Sequence, residues 1–489
     1  MPGVQHAGSR HPLLNEPARP EWIRRRPGAH WLVVATVCVG AFMGQLDASV
    51  VTVAFPTLQR ELGAGLGAVE WVALSYLLVL VSSVTAIGRF ADMVGRKLLY
   101  TYGFAVFTLA SVACAMAPNL LTLDAFRVVQ AVGAAMLQAN SVALIATSMP
   151  REELGRGIGV QGAAQALGLA LGPTVGGLLI ALGGWRLIFY VNVPAGALGL
   201  LLGWFLLPRS RELQRRTPFD WSGLVAFVPA IGALLAALSL GRELGFGSPT
   251  ILGLFGLAVL AGAAFLRIQQ RATHPMVDLR LFRQVPFSAG IASGLLSYAV
   301  LFGVLFVVPF LFEGAFGLNT AGSGLLLTAL PAALGVTAPL AGRLADRLGA
   351  RPLTVTGMVL TAAGLLLAAF GMLGVPGSAV ALVIMGVGLG LFTPPNNAAI
   401  MGSAPRAQSG AAGGLLNMTR GIGTALGVAL AALVYGLGTA HAALGATPAE
   451  RSSHGFVLTA TMLACLALLA AVLAALRGPR NSDRPVSQG

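Results

Sequence analysis

The sequence predicts an all-α polytopic membrane protein of fourteen spans. Three observations carry that prediction. Of 489 residues, 56% are hydrophobic and only 10% charged, with a mean hydropathy of +0.81, a composition outside the range of soluble globular domains. The apolar residues fall in runs of about 20, which at 1.5 Å per residue match a roughly 30 Å hydrocarbon core. The basic residues give a formal net charge of +14, yet they are dispersed in short segments between the runs. With no stripe to follow a phosphate backbone, nucleic acid is excluded as a partner, and the placement of charge reports topology.

Residues 1–30 are rich in Pro, Arg and His without periodicity and read as a disordered tail. Runs broken by Gly, Pro and charge then place spans at 31–54, 68–88, 97–117, 120–146, 155–181, 185–206 and 220–240, and at 249–267, 285–312, 320–341, 353–373, 378–400, 408–437 and 455–477. Arg89, Arg96 and Lys97 follow span 2, Arg151 and Arg156 span 4, and Arg209, Arg211, Arg215 and Arg216 span 6. Arg267, Arg271, Arg280 and Arg283 follow span 8, Arg343, Arg347 and Arg351 span 10, Arg406 span 12, and Arg477, Arg480 and Arg484 the last span. Only Arg60, Arg186, Arg242 and Arg451 are left for the opposite loops. Positive charge marks the cytoplasmic face, so both termini are expected there, in a cytoplasmic (inner) membrane. Trp31, Trp71, Trp185, Trp204 and Trp221 sit at span ends, as interfacial indoles do. The first run follows Arg24-Arg25-Arg26 and exceeds a signal-peptide core, so the N-terminus is expected to be retained. Cys38, Cys114 and Cys465 lie in three different runs, with neither a disulfide framework nor metal-ligand spacing. No metal or cofactor is expected.

An internal repeat divides the chain. Gly88-Arg89-Phe90-Ala91-Asp92-Met93-Val94-Gly95-Arg96-Lys97 follows span 2, and Gly342-Arg343-Leu344-Ala345-Asp346-Arg347-Leu348-Gly349-Ala350-Arg351 follows span 10. Gly, Arg, Ala, Asp and Gly recur in register, which implies two parallel six-span halves at 31–206 and 285–477. Residues 207–284 are then a linker carrying spans 7 and 8, and 478–489 a second cytoplasmic tail. Spans 7 and 8 have uncharged interiors and are expected at the periphery, in lipid.

Asp47 is the only carboxylate of span 1. A charge there costs about 2.5 to 3.5 kcal/mol, so it should face a protein-lined interior with a partner, either as a proton or cation site or as a hydrogen-bonded structural group. In span 4, Arg127, Gln130 and Gln138 share a face. Arg127 lies at the depth of Asp47, roughly 10 Å below the outer surface, which allows a direct or water-bridged pair that proton uptake would loosen. In span 5, Gln161, Gln165, Gly168 and Gly172 share a face, followed by Pro173, Gly176 and Gly177, and small residues there let another backbone approach. Gln45, Tyr76, Tyr298, Asn396, Asn397, Asn417 and Arg420 are candidates, with Gln130, Gln161 and Gln165, for the lining of a central cavity. Phe302, Phe306 and Phe310 are candidates for an aromatic wall suited to amphipathic compounds, or for plain packing.

The segment at 88–97 resembles the loop signature of the major facilitator superfamily, Gly-x-Leu-Ala-Asp-Arg-x-Gly-Arg-Lys, departing at Phe90 and Met93. The resemblance implies that Gly88, Asp92, Gly95, Arg96 and, in the repeat, Asp346 form a conformational gate, with Asp92 meeting the helix that starts near Ser409. Gly168, Gly172, Pro173, Gly176 and Gly177 look like the superfamily's antiporter motif, and Arg127-Val128-Val129-Gln130-Ala131-Val132-Gly133 resembles its Arg-x-x-Gln-Gly-x-Gly segment. The Asp47 segment, Trp185 to Gly196, and Arg420 to Gly427 are similar to the fourteen-span drug:proton antiporter family. Ser49, Thr52 and Leu187 depart from its usual residues. Family exporters often carry a further carboxylate in the second half; Glu313 lies at the outer edge of span 9, and Asp124 at the start of span 4.

The resemblance implies proton-driven export of amphipathic drugs or antibiotics by a carrier working as a monomer, with lipid, substrate and protons as its partners. One proton entering across 100 mV supports a gradient of about 50-fold, so ATP is not required. The only lysine, Lys97, lies in no phosphate loop. Proton-coupled uptake of a small solute and a non-transporting sensor are the competing readings. An enzyme is not expected, since neither His-Glu-x-x-His nor Gly-x-Ser-x-Gly occurs and all six histidines fall in tails or loops.

Overall fold

The computed structural model describes residues 16, 19–25, 27–150, 153–210, 220–273, 275–370, 374–403, 409–442 and 445–477. Fourteen helices are long and apolar enough to span a membrane. They are α1 Ala29–Leu62, α2 Leu66–Val94, α3 Arg96–Ala115, α4 Leu120–Ser148, α5 Arg156–Gly183, α6 Leu187–Leu206 and α7 Trp221–Gly241, then α8 Pro249–Arg271, α9 Val285–Gly314, α10 Thr320–Ala345, α11 Ala350–Phe370, α12 Gly374–Ser403, α13 Ala412–Ala440 and α14 Pro448–Ala475. No strand occurs among the described residues.

Several helices outrun the apolar pattern that located them. α1 continues to Leu62 with Pro56 inside it, although the apolar run ends near 54. Hydropathy marks the edge of the hydrocarbon, whereas the mostly polar residues 57–62 continue the helix beyond Pro56. α14 starts at Pro448 because Thr447 caps it: Glu450 N–H donates to Thr447 Oγ1 at 3.3 Å while Glu450 Oε2 accepts from Thr447 N at 2.7 Å. The tail expected to be structureless is anchored in part. Glu16 Oε2 accepts from Ser210 N at 2.6 Å, and Arg209 Nε donates to Glu16 O at 2.7 Å. His30 lies in α1, not in the tail, and its Nε2 is 3.0 Å from Glu153 Oε2.

Small residues set the closest helix pairs. A methyl group at Gly168 of α5 would lie 3.1 Å from Leu46 N, one at Gly172 would lie 3.0 Å from Val50 N, and one at Gly176 would lie 3.0 Å from Val50 O. All three spacings are tighter than an ordinary carbon contact, so α5 and α1 touch backbone to backbone. Gly423 and Gly427 of α13 do the same against Leu295, Tyr298 and Ala299 of α9. α7 lies against α2 and α13, with Trp71 Nε1 donating to Ser239 Oγ at 3.1 Å and Ser239 Oγ to Gly67 O at 2.9 Å. α8 packs on α7 and is otherwise almost uncovered by protein, the placement expected of it, whereas α7 is packed against a helix of each half.

The first and last six helices meet chiefly on the side away from the chain termini. There Phe55 and Phe306 have ring centroids 5.0 Å apart, Thr174 and Thr328 hydroxyls are 2.5 Å apart, and Gly177 abuts Thr320 and Ala321. Arg60 Nη2 lies 3.4 Å from Glu313 Oε2 at the rim. On the termini side, Gly159 and Gly162 of α5, Gly342 of α10 and Gly402 of α12 have no neighbour within 4 Å of a would-be Cβ. Among the described residues, the contacts between the two sets of helices are thus concentrated at the end away from the termini.

Gly172→Val should introduce overpacking against Ser49 and Val50 worth about 1 to 3 kcal/mol, lowering the thermal unfolding midpoint of the purified protein by several degrees. Gly162→Ala, which meets nothing, should leave the midpoint unchanged or slightly raised.

Candidate functional site

Asp47 is fully buried, at 0% exposure, and points into the interior of the first six helices. Arg127 Nη1 of α4 donates to Asp47 Oδ2 at 2.7 Å. Gln130 Nε2, one turn further along α4, donates to Oδ1 at 3.0 Å, and Asn192 Nδ2 of α6 donates to the same oxygen at 2.9 Å. Three donors, one of them charged, converge on the carboxylate.

The guanidinium is equally enclosed, at 1% exposure. Its Nε donates to Val72 O at 2.9 Å, and Nη1 also donates to Gln130 Oε1 at 2.6 Å. Tyr76 of α2 lies under it at 4.1 Å and Phe189 of α6 at 5.8 Å, so part of the positive charge rests on ring faces. Gln130 completes the set by donating to Ser111 Oγ of α3 at 2.8 Å, and Cys114 Sγ is 3.8 Å from Gln130 Oε1. Five of the first six helices thus contribute to one network. The sixth, α5, touches α1 beside it, where Ser49 Oγ donates to Gly168 O at 3.4 Å.

This arrangement corrects part of the expected cavity lining. Tyr76, Gln130 and Gln161 are buried within the first bundle: Tyr76 packs on Arg127, Gln130 binds Asp47, and Gln161 Nε2 donates to Ser141 Oγ at 3.0 Å. Asn396 is buried in the second, where its Oδ1 accepts from Arg477 Nη2 and Ser293 Oγ. Phe302, Phe306 and Phe310 are packed as well. Polar groups in a low-dielectric interior find one another first, and sequence depth does not tell which way a helix face turns. Gln45, Gln165, Tyr298, Asn397, Asn417 and Arg420 remain part-exposed, and Arg420 Cζ lies 5.3 Å from the Tyr298 ring. Burial brings the Arg477 guanidinium, just beyond α14, down to about 10, still charged at neutral pH.

At the loop after α2, Arg96 Nη2 and Nε bind Asp92 Oδ1 at 2.9 and 3.0 Å, and Gly95 adopts φ +125°, a conformation side chains rarely reach. Gly88 sits near Ala139 of α4. The side chains of Ser409 and Asp346, and with them the expected partner of Asp92, lie outside the described residues. Asp124 Oδ1 is buried one turn from Arg127 without a hydrogen-bond partner. Sequence reasoning missed Asn192 and Ser111 as members of the Asp47 network. A lone Asn inside an apolar run was the available signal for the first; a serine carries none.

The fold is that of a polytopic carrier assembled from two six-helix units and an inserted pair. The chain belongs to the Major Facilitator Superfamily, whose family profile matches residues 37–294 and 290–489, and within it to the drug:proton antiporter family. It is 34% identical over 405 residues to the multidrug resistance protein Stp of Mycobacterium tuberculosis, covering 82% of this chain and 74% of that one. It is 33% identical over 403 residues to the riboflavin transporter RibZ of Clostridioides difficile (82% and 87% covered) and over 412 residues to the tetracenomycin C resistance and export protein of Streptomyces glaucescens (83% and 76%). A bacterial homologue of the human lysosomal transporter Spinster, solved inward-facing, shares the fold with a TM-score of 0.66 at 16% identity over 92% of this chain and 97% of that one. The protein is a multi-pass membrane transporter and not an enzyme.

Asp47→Ala should destabilise the protein by about 3 to 5 kcal/mol, because it leaves Arg127 charged and uncompensated in the interior. Adding Arg127→Met should recover much of that loss. The coupling is read from unfolding midpoints of the single and double variants.

Proposed function

We propose that the protein is a proton-coupled antiporter that exports amphipathic drugs or antibiotics by alternating access, acting as a single chain in the cytoplasmic membrane with both termini inside. The observation that carries the reading is the Asp47 carboxylate, bound by Arg127, Gln130 and Asn192 inside the first bundle. Protonation removes the charge that these donors converge on and leaves Arg127 to Val72 O, Gln130 and the Tyr76 ring. α1 is then freed to shift against α4 and α6. Two and three residues beyond Asp47, Ser49 and Val50 bear on the glycine face of α5, and α5 bears on α10 through Gly177 and the Thr174–Thr328 pair. A proton taken up at Asp47 thereby reaches the seam between the two halves. Gly88, Asp92, Gly95, Arg96 and Asp346 gate the opposite, cytoplasmic mouth, and Asp92 is held in this state by Arg96.

The end with fewer contacts between the described helices is the one that carries the termini, and the crowding of arginine in its loops supports a cytoplasmic placement. Such a state would admit substrate from the cytoplasm. Two of the relatives carry resistance in their names, one of them export as well, and they support the outward direction. The riboflavin transporter relative supports a second reading, a carrier for one small solute, coupled in either sense.

In proteoliposomes with an imposed pH gradient, Asp47→Asn should abolish gradient-driven substrate flux, by about 100-fold or more, while substrate counterflow without a gradient persists. Gradient-driven flux surviving in Asp47→Asn would refute the coupling role, and flux directed only into the cytoplasmic side would favour uptake.

A further inference from the structure

The charge in the second bundle has the opposite sign to what a carrier of organic cations needs. Its carboxylates, Glu313, Asp346 and Glu450, all fall at helix ends: Glu313 is the second-last residue of α9, Asp346 lies just past α10, and Glu450 is in the first turn of α14. Arg420 sits about 16 Å along the helix that begins at Ser409. Its neighbour Gly421 abuts Val81 of α2, which places Arg420 at the seam between the two sets of six helices. There its guanidinium lies over Tyr298 of α9, with Nε buried and without a hydrogen-bond partner. Asn417 is one turn away on the same face and Asn397 Oδ1 is likewise unpartnered. The carboxylate at comparable depth in the first bundle is saturated, since Asp47 Oδ2 holds Arg127 and Oδ1 holds Gln130 and Asn192.

A cation in a low-dielectric interior requires a partner, and here the protein supplies a ring face. The guanidinium edge formed by Nε and a terminal nitrogen is the one that binds a planar oxyanion side-on. A flat apolar body attached to that anion would continue the Tyr298 stack.

We propose that Arg420, seated on Tyr298 at the seam, recognises the anionic group of an amphipathic substrate: an aromatic or polycyclic body bearing a carboxylate, sulfonate or ionised enol. The proposal deepens the export reading and rests on it for direction only. It carries an energetic consequence. An anion leaving a negative interior moves the same charge as a proton entering, so a one-for-one exchange is driven twice by the potential. Each charge is worth about 50-fold in gradient across 100 mV.

The test compares naphthalene-2-sulfonate, a permanent anion, with ethidium, a permanent cation, for uptake into inside-out proteoliposomes with an acid lumen and for equilibrium binding to purified protein without a gradient. Wild type should concentrate the sulfonate, faster when a potassium–valinomycin potential is imposed lumen-positive. Arg420→Gln should weaken binding and raise KM at least 10-fold with an unchanged unfolding midpoint, and Arg420→Lys should recover most of the loss. Sulfonate bound in an Arg420-dependent way but not driven by protons upholds this assignment and defeats the export reading. Proton-driven ethidium flux with no sulfonate flux, or sulfonate binding indifferent to Arg420→Gln, overturns this assignment and leaves the export reading standing.

Discussion

A carboxylate and a guanidinium buried against each other, both shut off from solvent, set the terms for the first six helices. Once Asp47 is inside, Arg127 must be brought to it, and the remaining lone pairs and protons must be met by Gln130, Asn192, Ser111 and the Val72 carbonyl. Each of those groups belongs to a different helix or a different turn, so satisfying one carboxylate fixes the rotation of five helices together. Such a pair adds little to net stability against an apolar substitute; what it confers is a single arrangement, which under the proposed coupling a change of protonation would undo.

The same constraint orders what lies behind α1. With Asp47 turned inward, Ser49 and Val50 are turned toward α5, where glycine leaves room for backbone contact. α5 is consequently a rigid intermediary between the charge pair and α10, with only small groups in its joints. Contacts of this kind transmit displacement because no side chain can swing aside to absorb it. The second bundle is built differently: Arg477 is tied to neutral Ser293 and Asn396, and Arg420 to an aromatic face. One bundle holds a closed circuit of charge, and the other holds cations still open to a partner.

The architecture was legible in the sequence because two independent signals, apolar run length and arginine placement, agree on fourteen spans, and the duplicated Gly-Arg-x-Ala-Asp segment divides them into halves. Asp47 and Arg127 were placed at one depth by counting residues from the span ends. Rotation about the helix axis was not legible. A span that is apolar all round has no moment to orient it, so Tyr76, Gln130, Gln161 and Asn396 read as cavity residues although each is enclosed within a bundle. The lone Asn192 in an apolar run marked a polar group in the span, but its contribution depended on which face of α6 meets α1, a tertiary fact. The termini of α1 and α14 were missed for a simpler reason: polar residues continue the former past its apolar run, and a capping box starts the latter by hydrogen bonding, neither of which hydropathy reads.

The placement of α7 has a mechanical consequence. It touches α2 of the first bundle and α13 of the second, and it carries α8, which is almost uncovered by protein. When α2 and α13 tilt apart or together, α7 has to slide on at least one of them, dragging a whole helix sideways through lipid. On the proposed alternating access, switching would do work on the bilayer as well as within the protein, and membrane thickness and lateral pressure would enter the carrier's own energy landscape.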